Sequence, residues 1–328
     1  MENHNVVSVS GGKDSTATLL LAIERGAENI SAVFADTGNE HPETYAYIDY
    51  LEQKTGVTVR RIKPDFAARI AKKRETVKTK WASEGIPDAI ISKALEALKP
   101  TGNPFLDLCI LKGRFPSRRA QFCTQELKRD PINKQVFQPL LEDPETQDVY
   151  SWQGVRADES INRRDLAALD EVKDGLFNYR PILNWTADKV FSFHRKHDVK
   201  WNPLYEKGMR RVGCMPCVNC AKSELREIAA RFPEAIDRIR AWEVIASDAS
   251  KRGASTFFPI SKDPTASASE SISQPTHGID RMVEWSRTKR GGREMDLEAF
   301  LPDVGCSSAY GLCDTSNDNG PPPKESAA

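Results

Sequence analysis

Apolar residues along the first 62 positions alternate between two spacings. Short apolar runs at residues 6–9, 30–35 and 57–62 predict three buried strands. Residues 15–25 and 41–54 instead carry apolar side chains at helical spacing, and Gly26 follows the first of these segments as a stop signal. Because short links join strand, helix and strand, the strands are expected to be parallel with right-handed crossovers. The pattern therefore predicts an α/β fold built on a doubly wound, mostly parallel sheet.

Beyond residue 62 the pattern is mostly helical. Helices are predicted over residues 65–99, in the second half of 116–143, and over 186–197 and 221–243, with one further strand over 148–155. Pro233 is expected to divide the last helix, because proline suits a first turn and breaks a helix interior. Residues 314–328 have almost no large apolar side chain, which indicates disorder. We expect a domain over residues 1–248, a helical and cysteine-rich extension over 249–313, and a disordered tail.

The composition is that of a globular protein. Of the 328 residues, 39% are hydrophobic and 29% charged, and this length allows a core without disulfide or metal support. No apolar run approaches the roughly 20 residues of a membrane helix, and Met1 leads into the first strand without the pattern of a signal peptide. We therefore expect a cytoplasmic protein with no membrane partner. In that reducing compartment, the seven cysteines are expected to be metal ligands or reactive thiols before disulfides.

The charge is balanced overall but uneven locally. The chain has 47 Lys and Arg against 47 Asp and Glu, whereas residues 60–80 contain nine basic residues and only two acidic ones. This block is either a solvated helical face or a surface for an anionic partner. Overall neutrality therefore does not exclude a nucleic-acid partner.

Candidate chemistry begins directly after the first strand, at a glycine-rich turn that opens a helix. Two glycines allow the backbone to approach a phosphate, and the helix N-terminus offers unpaired N–H groups and a partial positive charge. A lysine adds a full charge, two serines add hydroxyl donors, and an aspartate could hold Mg²⁺ between phosphates. The turn is not a Walker loop, which would need a glycine where Val7 stands. Its residues are Ser10, Gly11, Gly12, Lys13, Asp14 and Ser15.

This turn resembles the pyrophosphate loop of the N-type ATP pyrophosphatases, which split ATP between the α and β phosphates. Four further segments resemble the phosphoadenosine-phosphosulfate (PAPS) reductase family within that fold: ADTGNEHPET at 35–44, FCTQELKRDP at 122–131, GVRADES at 154–160 and NPLYEKGMRRVGC at 202–214. Five motifs in the same order imply a Rossmann-like domain of the adenine nucleotide alpha hydrolase type. The resemblance implies that Asp36, Gly154 and Arg156 bind the nucleotide together with the loop.

One departure from the family pattern favours ATP cleavage. In that pattern, true sulfonucleotide reductases have a degenerate first loop, because their substrate already carries an activated sulfate. Residues 10–15 keep the pyrophosphatase form. The chain is therefore more similar to the branch that activates an acceptor for sulfur insertion, such as the ATP pyrophosphatase of DNA phosphorothioation or the tRNA-thiolating enzymes.

Basic side chains inside or beside these motifs are candidates for substrate binding. Guanidinium groups bind phosphates in a bidentate manner, although each such side chain can also be an ordinary surface charge. The candidates are Lys128, Arg163, Arg164 and Arg211.

Three cysteines, Cys214, Cys217 and Cys220, stand in two consecutive C-x-x-C steps, which suggests shared metal binding. Cys123 lies in the segment that carries ligand cysteines in cluster-bearing relatives. The resemblance therefore favours a [4Fe–4S] cluster on four thiolates, with tetrahedral Zn²⁺ and free or redox-paired thiols as alternatives. Phe122 stands where those relatives have a second cysteine. Cys220 is then either the replacement ligand or a catalytic persulfide carrier, which needs an exposed thiol with a lowered pKa.

The other cysteines and two histidines give weaker signals. Cys109 lies in an apolar stretch and is expected to be a buried structural thiol. Cys306 and Cys313 lie near the tail, where reductases carry a nucleophilic cysteine, but the reductase motif is absent and their role stays open. His194 and His197 are about one helical turn apart and, without a third ligand, are expected to be packing or surface residues.

Together these features favour a two-step sulfur transfer. ATP binds on the loop, Lys13 and Asp14 act with Mg²⁺ on the pyrophosphate leaving group, and an acceptor oxygen attacks the α-phosphorus. Sulfur from a cysteine desulfurase then displaces AMP. The expected acceptor is nucleic acid, and a homodimer is a candidate assembly. The rival functions are a PAPS or APS reductase that uses thioredoxin, and a non-catalytic nucleotide-binding scaffold for a cysteine desulfurase.

Overall fold

A six-stranded sheet forms the centre of the protein. The computed structural model describes residues 1–258 and 278–288. The strands are β1 (Glu2–Ser8), β2 (Ile30–Ala35), β3 (Val59–Ile62), β4 (Thr146–Trp152), β5 (Leu169–Lys173) and β6 (Leu176–Tyr179), in the order β3-β2-β1-β4-β6-β5. All neighbouring strands are parallel except β5 and β6. This arrangement confirms the predicted doubly wound, mostly parallel α/β sheet.

The order of the strands places the candidate site. The chain runs outward from β1 through β2 to β3 and then returns to place β4 on the other side of β1. Ligands of open α/β sheets bind at such a switch point, outside the carboxyl ends of the strands. The segments that leave β1 and β4 there are residues 9–12 and 153–156, so the fold brings two of the predicted motifs to one place.

Helices cover both faces of the sheet. The first five are α1 (Lys13–Glu24), α2 (Pro42–Thr55), α3 (Ala67–Thr76), α4 (Asp88–Ala97) and α5 (Pro104–Lys112). A run of four contiguous helical pieces follows, Thr124–Arg129, Asp130–Ile132, Asn133–Phe137 and Gln138–Glu142. The later helices are Ala187–Lys196, Pro203–Glu206, Lys222–Arg231, Pro233–Asp248 and Ile279–Arg287. Pro233 begins a new helix, as predicted.

Side chains of alternating strand residues pack into separate cores. Val7 lies in the core under α1 and α2, whereas the neighbouring Val6 lies in the smaller core on the opposite face. A third and larger core joins α3, α4 and α5 to the helices Lys222–Arg231 and Pro233–Asp248, and Ile279 and Val283 of the last described helix are buried in it. None of the helices in residues 1–258 and 278–288 has the length and apolar character needed to cross a bilayer.

The sequence pattern missed several elements. The edge strand β5 has mostly exposed side chains, so it lacks the apolar alternation that marks a half-buried strand. Helix α5 carries buried side chains through most of its length and therefore shows no amphipathic period. The helix Ile279–Arg287 lies in the predicted helical extension, although the pattern gave no bounds for it. Cys306, Cys313 and the predicted disordered tail lie outside the described residues.

Candidate functional site

The glycine-rich loop is a tight turn closed by its own serines. Gly11 has a φ of +78°, and a Cβ atom there would lie 2.8 Å from Thr44 Cγ2. Ser15 Oγ accepts a hydrogen bond from the Ser10 backbone N–H at 3.0 Å and donates to the Gly12 carbonyl at 3.1 Å. Helix α1 begins immediately after Gly12. The loop therefore presents a helix N-terminus at the switch point, as the motif predicted.

Lys13, Asp14 and Arg156 form a buried charged group beside this loop. Lys13 Nζ lies 3.1 Å from Asp14 Oδ2, and Arg156 Nε donates to Asp14 Oδ1 at 2.6 Å. All three side chains are at most 2% exposed. Buried charges persist when they are paired, so Asp14 holds both cations in place. Because both of its oxygens face cations, Asp14 is better suited to positioning Lys13 and Arg156 than to binding Mg²⁺.

The loop after β4 packs directly on the start of α1. A Cβ atom at Gly154 would lie 2.7 Å from the Ser15 backbone nitrogen, so only glycine allows this approach. Arg156 also donates to Asp158 at 2.7 Å, and Arg163 forms an ion pair with the buried Glu159. Gly154 and Arg156 therefore lie beside the glycine-rich loop, and their binding of a nucleotide stays a prediction. Arg163 is buried in an internal pair, whereas Arg164 is exposed.

Residues distant in the sequence contact backbone atoms of the loop and of the first residue of α1. Tyr205 accepts a hydrogen bond from the Lys13 backbone N–H at 3.0 Å, and Asn202 Nδ2 donates to the Gly11 carbonyl at 3.2 Å. His194 Nε2 lies 2.8 Å from the Lys13 carbonyl oxygen, and burial lowers the pKa of this imidazole. A neutral ring with its proton on Nε2 satisfies that contact. The NPLY motif marked the first two residues, but nothing in the sequence pointed to this contact of His194.

A second polar group lies after β2. Asp36 Oδ1 accepts a hydrogen bond from the Tyr45 hydroxyl at 2.8 Å. The neighbouring Glu40 is buried, and that burial raises the pKa of its carboxyl while the Lys128 ammonium opposes the rise. Lys128 is itself only 6% exposed. It therefore lies inside the protein near Glu40 and not on the exposed surface.

The cysteine segment folds back onto this second group. Cys214 Sγ lies 3.5 Å from Thr37 Oγ1 and 3.8 Å from Glu40 Oε1. Cys217 Sγ accepts a hydrogen bond from the Asn219 backbone N–H at 3.4 Å. The two thiols are half-buried, so a small reagent can reach them.

The buried Arg211 binds the same segment. Its Nε donates to Glu224 Oε1 at 2.7 Å, and its guanidinium also hydrogen-bonds the Cys217 sulfur. Arg211 therefore lies beside the predicted metal ligands, and its guanidinium binds other side chains of the protein.

The four thiols predicted as metal ligands differ in their burial. Cys123 is half-buried, whereas Cys220 is 8% exposed and burial raises the pKa of its thiol well above the ordinary value. In residues 1–258 and 278–288, no three His, Cys, Asp or Glu side chains converge as a metal-binding group. The donor positions therefore do not fit a preformed four-thiolate site, and the iron–sulfur and zinc assignments stay predictions. Cys109 is buried, as predicted.

The basic block at residues 60–80 is partly neutralised by its neighbours. Arg61 pairs with carboxylates of α2, Arg69 pairs with Glu126, and Arg74 donates to the Leu98 carbonyl at 3.0 Å. Exposed ion pairs of this kind contribute little to stability, but they lower the local field. The block is therefore less positive than its sequence suggests.

Comparison with known proteins identifies the family of the chain. The model of the phosphoadenosine phosphosulfate reductase domain family matches residues 4–220. A 37.8 kDa protein of Escherichia phage 186, described as uncharacterized, is 47% identical over 94% of this chain and 96% of its own length. The phosphoadenosine 5'-phosphosulfate reductase of Buchnera aphidicola is 28% identical over 63% of this chain and 68% of its own length.

One solved structure is also similar. The crystal structure of phosphoadenylyl-sulfate reductase from Candida auris, a phosphate complex, superposes with a TM-score of 0.39 and 15% identity, covering 65% of this chain and 82% of that one. The family match extends over most of the described residues and includes every motif discussed above. The chain therefore belongs to the phosphoadenosine phosphosulfate reductase domain family.

Proposed function

We propose that this protein is an ATP pyrophosphatase that adenylates an acceptor for sulfur transfer. The observation that carries the proposal is the intact loop at the switch point, with Lys13, Asp14 and Arg156 buried behind it. A sulfonucleotide reductase has no pyrophosphate to cleave, so the pyrophosphatase form of the loop favours ATP as the substrate. The preferred acceptor is an oxygen of a nucleic acid.

The loop would bind the β and γ phosphates of Mg·ATP through its backbone N–H groups and the N-terminus of α1. The Lys13 ammonium, fixed by Asp14, would stabilise negative charge that develops on the leaving pyrophosphate. Mg²⁺ would arrive with the nucleotide and neutralise the same charge. The acceptor oxygen forms a bond to the α-phosphorus, the bond to pyrophosphate breaks, and an adenylated acceptor results.

The sulfur step needs a carrier thiol. A carrier thiol must be reachable and readily ionised, and burial raises the pKa of Cys220. The half-buried Cys214 and Cys217 meet the access requirement better. We therefore propose a carrier among these two, loaded by a cysteine desulfurase. A [4Fe–4S] cluster remains part of the proposal, without a role in the sulfur step. Iron, sulfide and zinc assays after anaerobic purification test for it.

The test is conversion of ATP to AMP and pyrophosphate in the presence of single-stranded DNA or tRNA. The wild-type protein is expected to form both products, and Lys13→Ala is expected to abolish them. Because Lys13 is buried in an ion pair, Lys13→Gln serves as a second variant that keeps most of the side-chain volume. Lys207→Ala removes an exposed lysine that pairs with Glu43 and is the matched control. No AMP from wild-type protein with either acceptor would contradict the proposal.

A second function is favoured by one observation, the activity named for two relatives. Proteins of Buchnera aphidicola and Allochromatium vinosum that are 28% and 25% identical are named PAPS reductase and APS reductase. A reductase would release sulfite from PAPS or APS, with thioredoxin as the reductant. Sulfite release without AMP formation from ATP would establish this function in place of the first. Tight ATP binding without either product would indicate the scaffold function.

A further inference from the structure

Two basic segments that are distant in the sequence adjoin each other in the structure. Glu126 accepts from Arg69 of α3 at 2.6 Å through one carboxylate oxygen, and from Lys112 at the end of α5 at 2.5 Å through the other. One carboxylate thus joins the block at residues 60–80 to the segment that follows α5. On α3, Lys72 lies three residues after Arg69 and therefore shares its exposed face.

The segment after α5 is itself strongly basic. Between Asp107 and Glu126 the chain has four basic residues and no acidic one. Most of it is irregular backbone between α5 and the helical run that begins at Thr124. Arg114 and Arg119 are exposed and Arg118 is half-buried. Exposed and half-buried cations of the two segments, which meet at Glu126, therefore form a basic strip.

An aromatic ring lies within this strip. Phe122 is half-buried, and its ring lies 5.7 Å from Lys112 Nζ and 5.6 Å from the Arg114 guanidinium carbon. Basic groups that follow a backbone, together with a ring on which a base can stack, are the features of single-stranded nucleic-acid sites. Both cations lie within about 6 Å of the same ring, so their charges are close together.

The strip leads to the cysteines. Phe122 directly precedes Cys123, and both pack against the core that contains Cys220. A nucleic-acid strand bound along the strip would therefore end beside the segment that carries the proposed sulfur chemistry.

We infer that this strip binds the sugar-phosphate backbone of a single-stranded nucleic acid, with Phe122 stacking on one base. Its cations are Arg69, Lys72, Lys112, Arg114, Arg118 and Arg119. This inference rests on the proposed function, since it locates the acceptor of that reaction. The predicted interface then lies at the junction of the two segments and is not confined to the 60–80 block.

The test measures binding of fluorescein-labelled single-stranded DNA and RNA oligonucleotides by fluorescence anisotropy over a series of salt concentrations. Each phosphate contact contributes about 0.7 to the slope of log affinity against log salt for a single strand. The triple variant Arg114→Gln, Arg118→Gln, Arg119→Gln is expected to lower that slope by about 2 and the affinity at least about tenfold. Phe122→Leu, which keeps apolar volume, is expected to weaken binding without changing the slope.

A triple variant of exposed cations on another helix is the matched control: Lys189→Gln, Arg195→Gln, Lys196→Gln. An equal loss in this control, or no loss in the first triple variant, would overturn the inference. Preference for the DNA or the RNA oligonucleotide identifies which polymer is bound. ATP binding is measured separately and is expected to be unchanged in both triple variants. If ATP is cleaved with single-stranded DNA or tRNA but the first triple variant binds the oligonucleotides as tightly as the wild type, the strip is refuted and the proposed function stands.

Discussion

Arg156 donates from Nε to Asp14 Oδ1 at 2.6 Å, although 142 residues separate the two in the chain. The contact joins the helix after β1 to the loop after β4, which are neighbours only because the sheet reverses its strand order there. It therefore fixes the position of the two loops relative to each other. The phosphate loop is therefore held by the sheet's topology as much as by its glycines.

The first prediction concerns this buried pair. Asp14→Asn leaves two buried cations without their carboxylate, so we expect the free energy of unfolding to fall by about 3–5 kcal/mol. Removing the exposed pair of Lys196 with Glu24, by Lys196→Ala, is expected to cost no more than about 1 kcal/mol. Urea denaturation followed by circular dichroism measures both. Equal effects of the two variants would show that Asp14 does not hold the loop.

The second prediction uses two glycines that differ in the space around them. A Cβ at Gly154 would meet the Ser15 backbone at 2.7 Å, whereas a Cβ at Gly213 would meet nothing within 4 Å. We expect Gly154→Ala to destabilise the protein by about 1–3 kcal/mol, because backbone atoms must move. It should also weaken ATP binding, since α1 is displaced. Thermal unfolding and calorimetric ATP titration test this, and Gly213→Ala should leave the melting temperature nearly unchanged.

The third prediction is a pH dependence of stability. Glu243 is 1% exposed and accepts hydrogen bonds from the backbone N–H groups of Phe257 and Ile279. Burial raises the pKa of this carboxyl from 4.5 to about 7. The folded state therefore holds a proton that the unfolded state has lost, so this group makes folding less favourable as the pH rises from 4.5 to about 7.

The size of that effect follows from the two pKa values. At about 1.4 kcal/mol for each pKa unit, the contribution amounts to about 3 kcal/mol and is constant above pH 7. Glu243→Gln is expected to abolish it, so the stability difference between variant and wild type should change across this range. Glu234→Gln, an exposed acid on the same helix, is the control. A difference that does not vary with pH would contradict the raised pKa.

The fourth prediction concerns thiol access. Cys123, Cys214 and Cys217 are half-buried, whereas Cys109 and Cys220 are buried and burial raises the pKa of both buried thiols. Iodoacetamide reacts with thiolates, so the first three should be alkylated in the native protein and the last two only after unfolding. Peptide mass spectrometry after timed labelling measures this. Early labelling of Cys220 would restore it as the candidate carrier.

Much of the fold could be predicted because local patterns decide it. The strands β1 to β3 and the helices between them show clear apolar spacing, and Pro233 marks a helix start. The edge strand β5 and the buried helix α5 could not be predicted, because one is mostly exposed and the other mostly buried, so neither shows a periodic contrast. Element type is readable only where one face is buried and the other is not.

The candidate site also combines features set by neighbouring residues with features set by tertiary contacts. The sequence by itself determined the glycine-rich loop, its place between strand and helix, and the order of the motifs, because these depend on neighbouring residues. Only the tertiary structure decided that Asp14 holds Lys13 and Arg156, that Cys220 is buried, and that Glu126 joins two basic segments. The physical reason is that burial and charge pairing depend on which distant segments the sheet and helices bring into contact.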